Sequence, residues 1–348
     1  AANKHGGEFD NKKLKELVIS LDDGKLDTDL LGFDSDEMID LLGYKQGLTD
    51  PDAVPKLPQK PKTKRSDMYD LGGHRLLCGD STNISDIKKL IGENAAHMIY
   101  CDPPYNIGIN YKNGQCGHAI NKYSHTNETK DNKSDKDYSS FLDTVIKNIL
   151  AAIRKNIHIF FWCDERYIWL LQTIFKQNGI DNKRVVLWIK NNISPTTQVA
   201  FNRVYEPCVY GTIGKPWLNE KFRNIHEILN ESVGSRNIIE NLMSIINIWI
   251  QERDNPTEYQ HPTQKPVSLH YKPLRRCTQI DDVVLDLFGG SGSTLIACEQ
   301  MDRKSILMEL DPSYCQVIIE RWQNFTGKEG YRIESNGHKT AWSQIKAS

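Results

Sequence analysis

The sequence predicts an α/β protein: a Rossmann-like, mostly parallel twisted sheet with helices on both faces and one inserted region. Three observations predict it. From residue 68 onward, short apolar runs of strand length alternate with segments of helical period. Two of those runs end in distinctive turns, Asp102-Pro103-Pro104-Tyr105 and Asp286-Leu287-Phe288-Gly289-Gly290-Ser291-Gly292. The 348 residues, 39% hydrophobic and 26% charged, have the composition of a folded chain of about two domains.

The elements follow in order. Residues 1–50 carry 12 acidic and six basic residues, and the spacing of Leu14, Leu17, Val18 and Leu21, then of Met38, Ile39, Leu41 and Leu42, predicts two short amphipathic helices. Residues 51–67 form a Pro/Lys-rich linker. Four prolines and five basic residues between 51 and 65 disfavour helix and read as a solvated tether, with a basic arm along a phosphate backbone as the alternative. Strands are expected at His74–Cys78, His97–Cys101, His158–Trp162 and Val185–Ile189, with helices at 84–91, 138–153 and 165–178. These make residues 68–190 one half of an α/β domain, with a long polar, mobile loop at 106–137. Residues 191–260 break the rhythm, interleave aromatic and basic residues such as Trp217, Lys215, Lys221, Arg223 and Arg236, and include a helical stretch near 236–251. We read them as an insertion with its own task, in which Asn202 and Arg203 are polar candidates for ligand contact. The alternation returns in 261–326, with a helix at 267–277, strands at Val283–Leu287 and Ser305–Glu309, and helices at 294–301 and 312–325. Residues 327–348 are left as a C-terminal tail.

Charge and composition exclude several classes. With 44 basic and 45 acidic residues the net charge is −1, so a DNA partner has to be met by local basic patches. No run of 18 apolar residues predicts a membrane span, and AANKHGGEFD has no apolar segment of a signal peptide. The absent initiator methionine suggests trimming from a longer protein. Eight dispersed cysteines without a Cys-x-x-Cys pair or a histidine cluster predict no metal site and a reduced, cytoplasmic setting.

The glycine-rich turn follows a strand and opens a helix, and its glycines allow close backbone approach to a ligand. Glu309 lies 20 residues beyond Gly289, at the end of the next strand, where an acid can accept hydrogen bonds from ribose hydroxyls. Leu295 stands where a dinucleotide fingerprint has its third glycine, and no lysine follows the turn as in a phosphate loop. An adenosine-type cofactor is therefore expected, with an ordinary βα turn as the bland alternative. In the tetrapeptide, two prolines stiffen the strand exit and leave carbonyls free. Asp102 offers a carboxylate at the sheet's C-terminal edge, and Tyr105 offers a flat face. Together they suit an amino group on a planar heterocycle.

With these motifs the chain resembles the adenine-N6 type of amino-methylating DNA methyltransferases, in the permuted β-group where Asp-Pro-Pro-Tyr precedes Phe-x-Gly-x-Gly. The resemblance spans roughly 68–326, and the segment before it resembles the tail of a ParB-like domain. It implies S-adenosyl-L-methionine as cofactor, double-stranded DNA as substrate, no metal, a role in restriction-modification and a homodimer as a common assembly. It further implies that Phe288, Gly289, Gly290 and Gly292 form the cofactor loop. Asp286 faces the methionine amino group, Glu309 the ribose and Asp80 the adenine, while Lys265, in His261-Pro-Thr-Gln-Lys-Pro266, approaches the cofactor carboxylate. Asp102, Pro103, Pro104 and Tyr105 form the amine site, where Tyr105 stacks on a flipped adenine and Asp102 and the Pro103 carbonyl accept the amine hydrogens. Asp rather than Ser at 102 favours adenine over cytosine N4. Cytosine-C5 chemistry at Pro207-Cys208, a nicotinamide dehydrogenase and a silent DNA-binding module are the rivals. Cys208 and His158 read as core residues and Trp162 and Trp169 as a packed pair.

Overall fold

The computed structural model describes residues 45–92, 95–107, 132–153, 155–194, 200, 203–220, 248–250 and 265–348. The helices expected before residue 44, most of the loop expected at 106–137 and most of the helical stretch expected near 236–251 lie outside the described residues, as do Asn202, Lys221, Arg223 and Arg236.

One eleven-stranded sheet organises these residues. At its centre β2 (His74–Cys78), β9 (Lys304–Glu309), β8 (Val283–Asp286), β3 (Met98–Cys101) and β4 (Ile157–Trp162) lie side by side in that order, all parallel. Every residue of β3 and β4 is buried. Such strands need apolar side chains on both faces, which is why they read as continuous apolar runs. Alternate residues serve opposite layers. Leu76, Cys78, Met98, Tyr100, Phe160 and Trp162 pack on one side, and Leu77, Ile99, Cys101, Ile159 and Phe161 on the other.

The second layer is closed by α1 (Ile84–Ile91), α2 (Asp135–Ala152) and α3 (Ile168–Gln177). In α1, Ile87, Leu90 and Ile91 form the buried stripe, and Asn83 caps the start by accepting from the Ser85 amide. The first layer is closed by α4 (Tyr271–Cys277), α5 (Ser293–Gln300), α6 (Pro312–Thr326) and α7 (Trp342–Ala347). Asp311 caps α6, Pro312 occupies its first turn, and Gly327 ends it at φ +70°. Trp322 of α6 is fully buried, and truncating such a side chain costs about 3–5 kcal/mol.

Further strands extend both edges, antiparallel beside β2 and mixed, with one parallel pair, beside β4. β1 (Met68–Leu71) joins β2 to β10 (Tyr331–Ile333) and β11 (Lys339–Ala341). On the far side β6 (Arg203–Ile213) pairs with β4, β5 (Asp181–Ser194) with β6, and β7 (Ile248–Ile250) with β5. Six expectations are corrected here. The boundary placed at 190/191 falls inside β5, and part of the expected insertion, β6, is a strand of the core sheet. Residues 248–250, expected to be helical, form β7. The tail at 327–348 supplies two strands and a helix whose Trp342 is buried. Trp169 is exposed, so Trp162 packs on Trp188 instead, at 6.5 Å in a T-shaped pair. The described linker is docked on the domain: Lys62 N–H donates to Gln316 Oε1 and Ser66 N–H to the Cys78 carbonyl.

The topology positions the site. From β3 the chain crosses to α2 on one face, and from the neighbouring β8 it crosses to α5 on the opposite face. Connections that leave adjacent parallel strands in opposite directions open a crevice at their carboxyl ends, where α/β proteins bind ligands.

Candidate active site

Four acids stand along that edge in the order of the sheet. Asp80 follows β2, Glu309 ends β9, Asp286 ends β8, and Asp102 follows β3. At about 4.8 Å per strand the row spans about 14 Å, the scale of an extended nucleoside-sized ligand with a second group beyond it.

On the β8–β9 side the acids are held by backbone amides. Asp286 Oδ1 accepts from Phe288 N–H at 3.0 Å, and Glu309 accepts from Gly290 N–H and Asp311 N–H, both at 2.8 Å. Among the described residues neither forms an ion pair. Burial pushes each carboxyl up to about 7, against the pull of those amides. The turn between them needs its glycines. Gly292 adopts φ +85°, and a Cβ on Gly289 would come within 3.0 Å of Ile318 on α6 and 3.3 Å of the Met308 carbonyl. Phe288 packs edge-on to Phe141, and Gly290 presents its amide to Glu309. Asp80 Oδ1 accepts from both the amide and the hydroxyl of Thr82. Desolvated carboxylates with no ion pair among the described residues suit a ligand that brings an ammonium group and hydroxyls, and the residues present fit an adenosyl amino acid on these grounds.

The β3 side is built differently. Lys265 is 4% exposed, and its Nζ donates to Asp102 Oδ2 at 2.5 Å and to Tyr105 Oη at 2.9 Å, with Glu206 Oε2 at 3.5 Å. The ammonium also lies 4.8 Å from the Trp162 ring centroid and 5.3 Å from that of Tyr105. Tyr105 Oη donates within reach of Asp102 Oδ1 at 2.9 Å and Glu206 Oε2 at 3.2 Å. Burial opposes a charge on Lys265, but Asp102 and Glu206 outweigh it and keep the ammonium charged. Burial raises the Asp102 carboxyl despite Lys265, with Glu206 adding to the rise. Two carboxylates thus share one cation.

The prolines were expected to leave their carbonyls free, but that of Pro104 is taken. Tyr138 Oη donates to the Pro104 carbonyl at 2.8 Å, while Asn106, at φ +55°, bonds the Lys133 backbone through both ends of its amide. These bonds bring together the two ends of the chain stretch that spans 107–132.

The predicted site residues therefore collect at one sheet edge, in two groups on either side of the β3/β8 crevice. Lys265 pairs with the amine-site tetrapeptide instead of standing on the glycine-turn side, and the buried Tyr105 offers less open ring face than expected. Glu206 was missed. Its signal was an acid inside the apolar run Val204–Ile213, where a charge is tolerated only when paired. Cys208 is buried in β6 and its thiol is pushed well up by burial, the state of a packed cysteine. His158 is likewise buried, on Tyr210 Oη and the Trp217 carbonyl. Among the described residues no cluster of metal-ligating side chains occurs, and no helix is long and apolar enough to cross a membrane.

This fold and this pair of motifs define an amino-methylating class of DNA-modifying enzyme. The N6/N4 DNA methylase family matches residues 96–320, and the chain belongs to that family; it is a DNA methyltransferase. The ParB-methyltransferase HTH domain matches residues 12–65. The Type II methyltransferase M2.MboI of Moraxella bovis is 26% identical over 70% of this chain and 86% of its own length. The Type II methyltransferase M.HpaI of Haemophilus parainfluenzae is 24% identical over 71% and 73%. The solved PvuII DNA methyltransferase, described as cytosine-N4-specific, shares the fold at TM-score 0.51 and 15% identity, covering 85% of this chain and 94% of that one.

Proposed function

We propose that this chain transfers a methyl group from S-adenosyl-L-methionine to the exocyclic N6 amine of an adenine flipped out of double-stranded DNA. The observation that carries the reading is the split crevice: an ion-paired carboxylate beside stiffened prolines on one side, and desolvated carboxylates around a glycine turn on the other. S-adenosyl-L-methionine, when bound, supplies an electrophilic sulfonium methyl. Asp286, Glu309 and Asp80 would hold its ammonium, ribose and adenine, with Phe288, Gly289, Gly290 and Gly292 as the turn beneath it.

The chain's own residues do the rest. A paired base cannot present its amine, so the base has to leave the stack at a cost of a few kcal/mol. Asp102 and the Pro103 carbonyl accept the two amine hydrogens and turn the nitrogen lone pair toward the methyl, while Tyr105 forms the wall against the base. Asp102 or water would take the proton that the amine gives up when it is methylated. An Asp102 carboxyl raised by burial is the better proton acceptor for it. Lys265, held by Asp102 and Glu206, fixes the carboxylate's direction, and its reach toward the cofactor carboxylate belongs to this proposal. Positioning and electrostatics supply the rate, with no covalent enzyme intermediate.

Cytosine N4 is the second reading, because the cytosine-N4-specific PvuII enzyme shares this fold. Asp102 at the head of the tetrapeptide favours adenine. The homodimer, the cytoplasmic setting and base contacts from the insertion at 191–260 are parts of the proposal too. The test is transfer of labelled methyl to mixed genomic DNA, followed by digestion to nucleosides. N6-methyladenosine supports the reading, N4-methylcytosine overturns the base, and absence of transfer overturns the reading.

A further inference from the structure

The segment that precedes the catalytic domain carries a contact into the site. The turn Val267–His270 follows directly on Lys265-Pro266. Pro266 stands at its N-cap and has no side-chain acceptor for the exposed amides of a first turn. The acceptor comes from 215 positions away in sequence: Asp52 Oδ1 takes the Val267 N–H at 2.7 Å. The same carboxylate lies 3.9 Å from the Arg321 guanidinium. Arg321 is 2% exposed, donates to the Pro51 carbonyl at 2.6 Å, and donates to the carbonyl and hydroxyl of Ser291 at 3.0 and 3.1 Å. Ser291 lies between Gly290 and Gly292 in the glycine turn. At the other end of the capped turn, His270 Nε2 meets Ser293 Oγ, the first residue of α5, at 2.9 Å. Pro51-Asp52 therefore touches both halves of the crevice: the turn that carries Lys265, and through Arg321 the loop that carries the glycines.

We infer that Asp52 is a positioning residue for the reaction, acting through the Val267 amide on Lys265 and through Arg321 on the glycine turn. The segment matched by the ParB-methyltransferase HTH domain is thereby wired into the catalytic site rather than tethered to it. This rests on the assignment of the crevice in the proposed function. The charge and the acceptor atom can be separated. Asp52→Ala removes both, whereas Asp52→Asn keeps an oxygen for the Val267 amide.

The test uses the full chain. Binding of S-adenosyl-L-methionine is measured by titration calorimetry, and amide hydrogen exchange of peptides covering 265–270 and 289–293 is measured without cofactor. Asp52→Ala is expected to speed exchange in both peptides and to weaken cofactor binding about fivefold, the scale of a lost helix cap. Asp52→Asn is expected within about twofold of the parent in binding, with parental exchange at 265–270. Parental exchange and binding in Asp52→Ala overturn the inference. So does faster exchange with unchanged binding, and so do equal losses in the two variants together with a lowered melting temperature. A parent chain that binds no S-adenosyl-L-methionine overturns the proposed function instead, and leaves the exchange result to decide whether the clamp exists.

Discussion

Two aspartates leave neighbouring parallel strands of one sheet edge and meet opposite surroundings. Asp102, after β3, is ion-paired to a buried lysine, hydrogen-bonded by a tyrosine and faced by a second acid. Asp286, at the end of β8, is held by the Phe288 amide and the Thr294 side chain and has no ion pair among the described residues. The first is a charge already compensated, so a neutral amine can approach it without a large electrostatic change. The second is a charge left costly by burial, so it gains most from a ligand that brings its own cation. The same residue type is set for two tasks by what the adjoining strands supply, the kind of division that places two carboxyls in different roles.

The comparison breaks most severely at Lys265. Lys265→Met removes the ammonium that the half-buried Asp102 and Glu206 share and should cost about 3 kcal/mol of stability at neutral pH. The sign follows from the acids: without the ammonium their carboxyls rise further, so protonation relieves the repulsion as pH falls. The melting-temperature deficit against the parent should therefore shrink from pH 8 toward pH 5, and a constant deficit would contradict the pairing.

On the other side of the crevice the sharper probe is pH. With Asp286 near 7 in the free chain and ionised against an ammonium group in the complex, binding releases a proton below pH 7. Cofactor affinity should fall about tenfold from pH 8 to pH 6 and level off above 8. Calorimetry in buffers of different ionisation enthalpy would detect the proton, and a flat affinity would remove the distinction between the two aspartates. The smallest effect is expected at Glu206. Glu206→Gln keeps a partner for Tyr105 Oη but removes the second negative charge from Lys265, and should lower kcat about fivefold with KM for the cofactor nearly unchanged. A change confined to that KM would place Glu206 on the wrong side of the comparison.

The strand exits explain what was legible in the sequence. Asp102, Asp286, Glu309 and Asp80 each end or follow an apolar run, and the alternation of runs and helices placed those ends on one edge. The central strands had to be apolar on both faces, so their limits were sharp: Met98–Cys101, Ile157–Trp162 and Val283–Asp286 all lie within a residue of expectation. Glu206 was hidden because β6 is antiparallel and arrives after a break in the alternation, so nothing local announced that its start would lie beside Asp102. β1, β10 and β11 were missed for a related reason. They are strands of three or four residues toward one margin of the sheet, too short to show an apolar pattern. The docked linker reads as a tether because the hydrogen bonds that hold it use backbone groups and far-off partners such as Gln316 and Arg321, which composition does not reveal.

The central claim is the division of labour between the two aspartates, and one paired measurement tests it directly: S-adenosyl-L-methionine affinity and methyl transfer to DNA, for Asp102→Ala and Asp286→Ala beside the parent. Asp102→Ala should bind the cofactor as the parent does and lose transfer by about 10²–10³-fold or more, the scale of a lost electrostatic anchor in a transition state. Asp286→Ala should fail first at cofactor binding. Loss of cofactor binding in Asp102→Ala to the same degree as in Asp286→Ala, or parental transfer by Asp102→Ala, would contradict it.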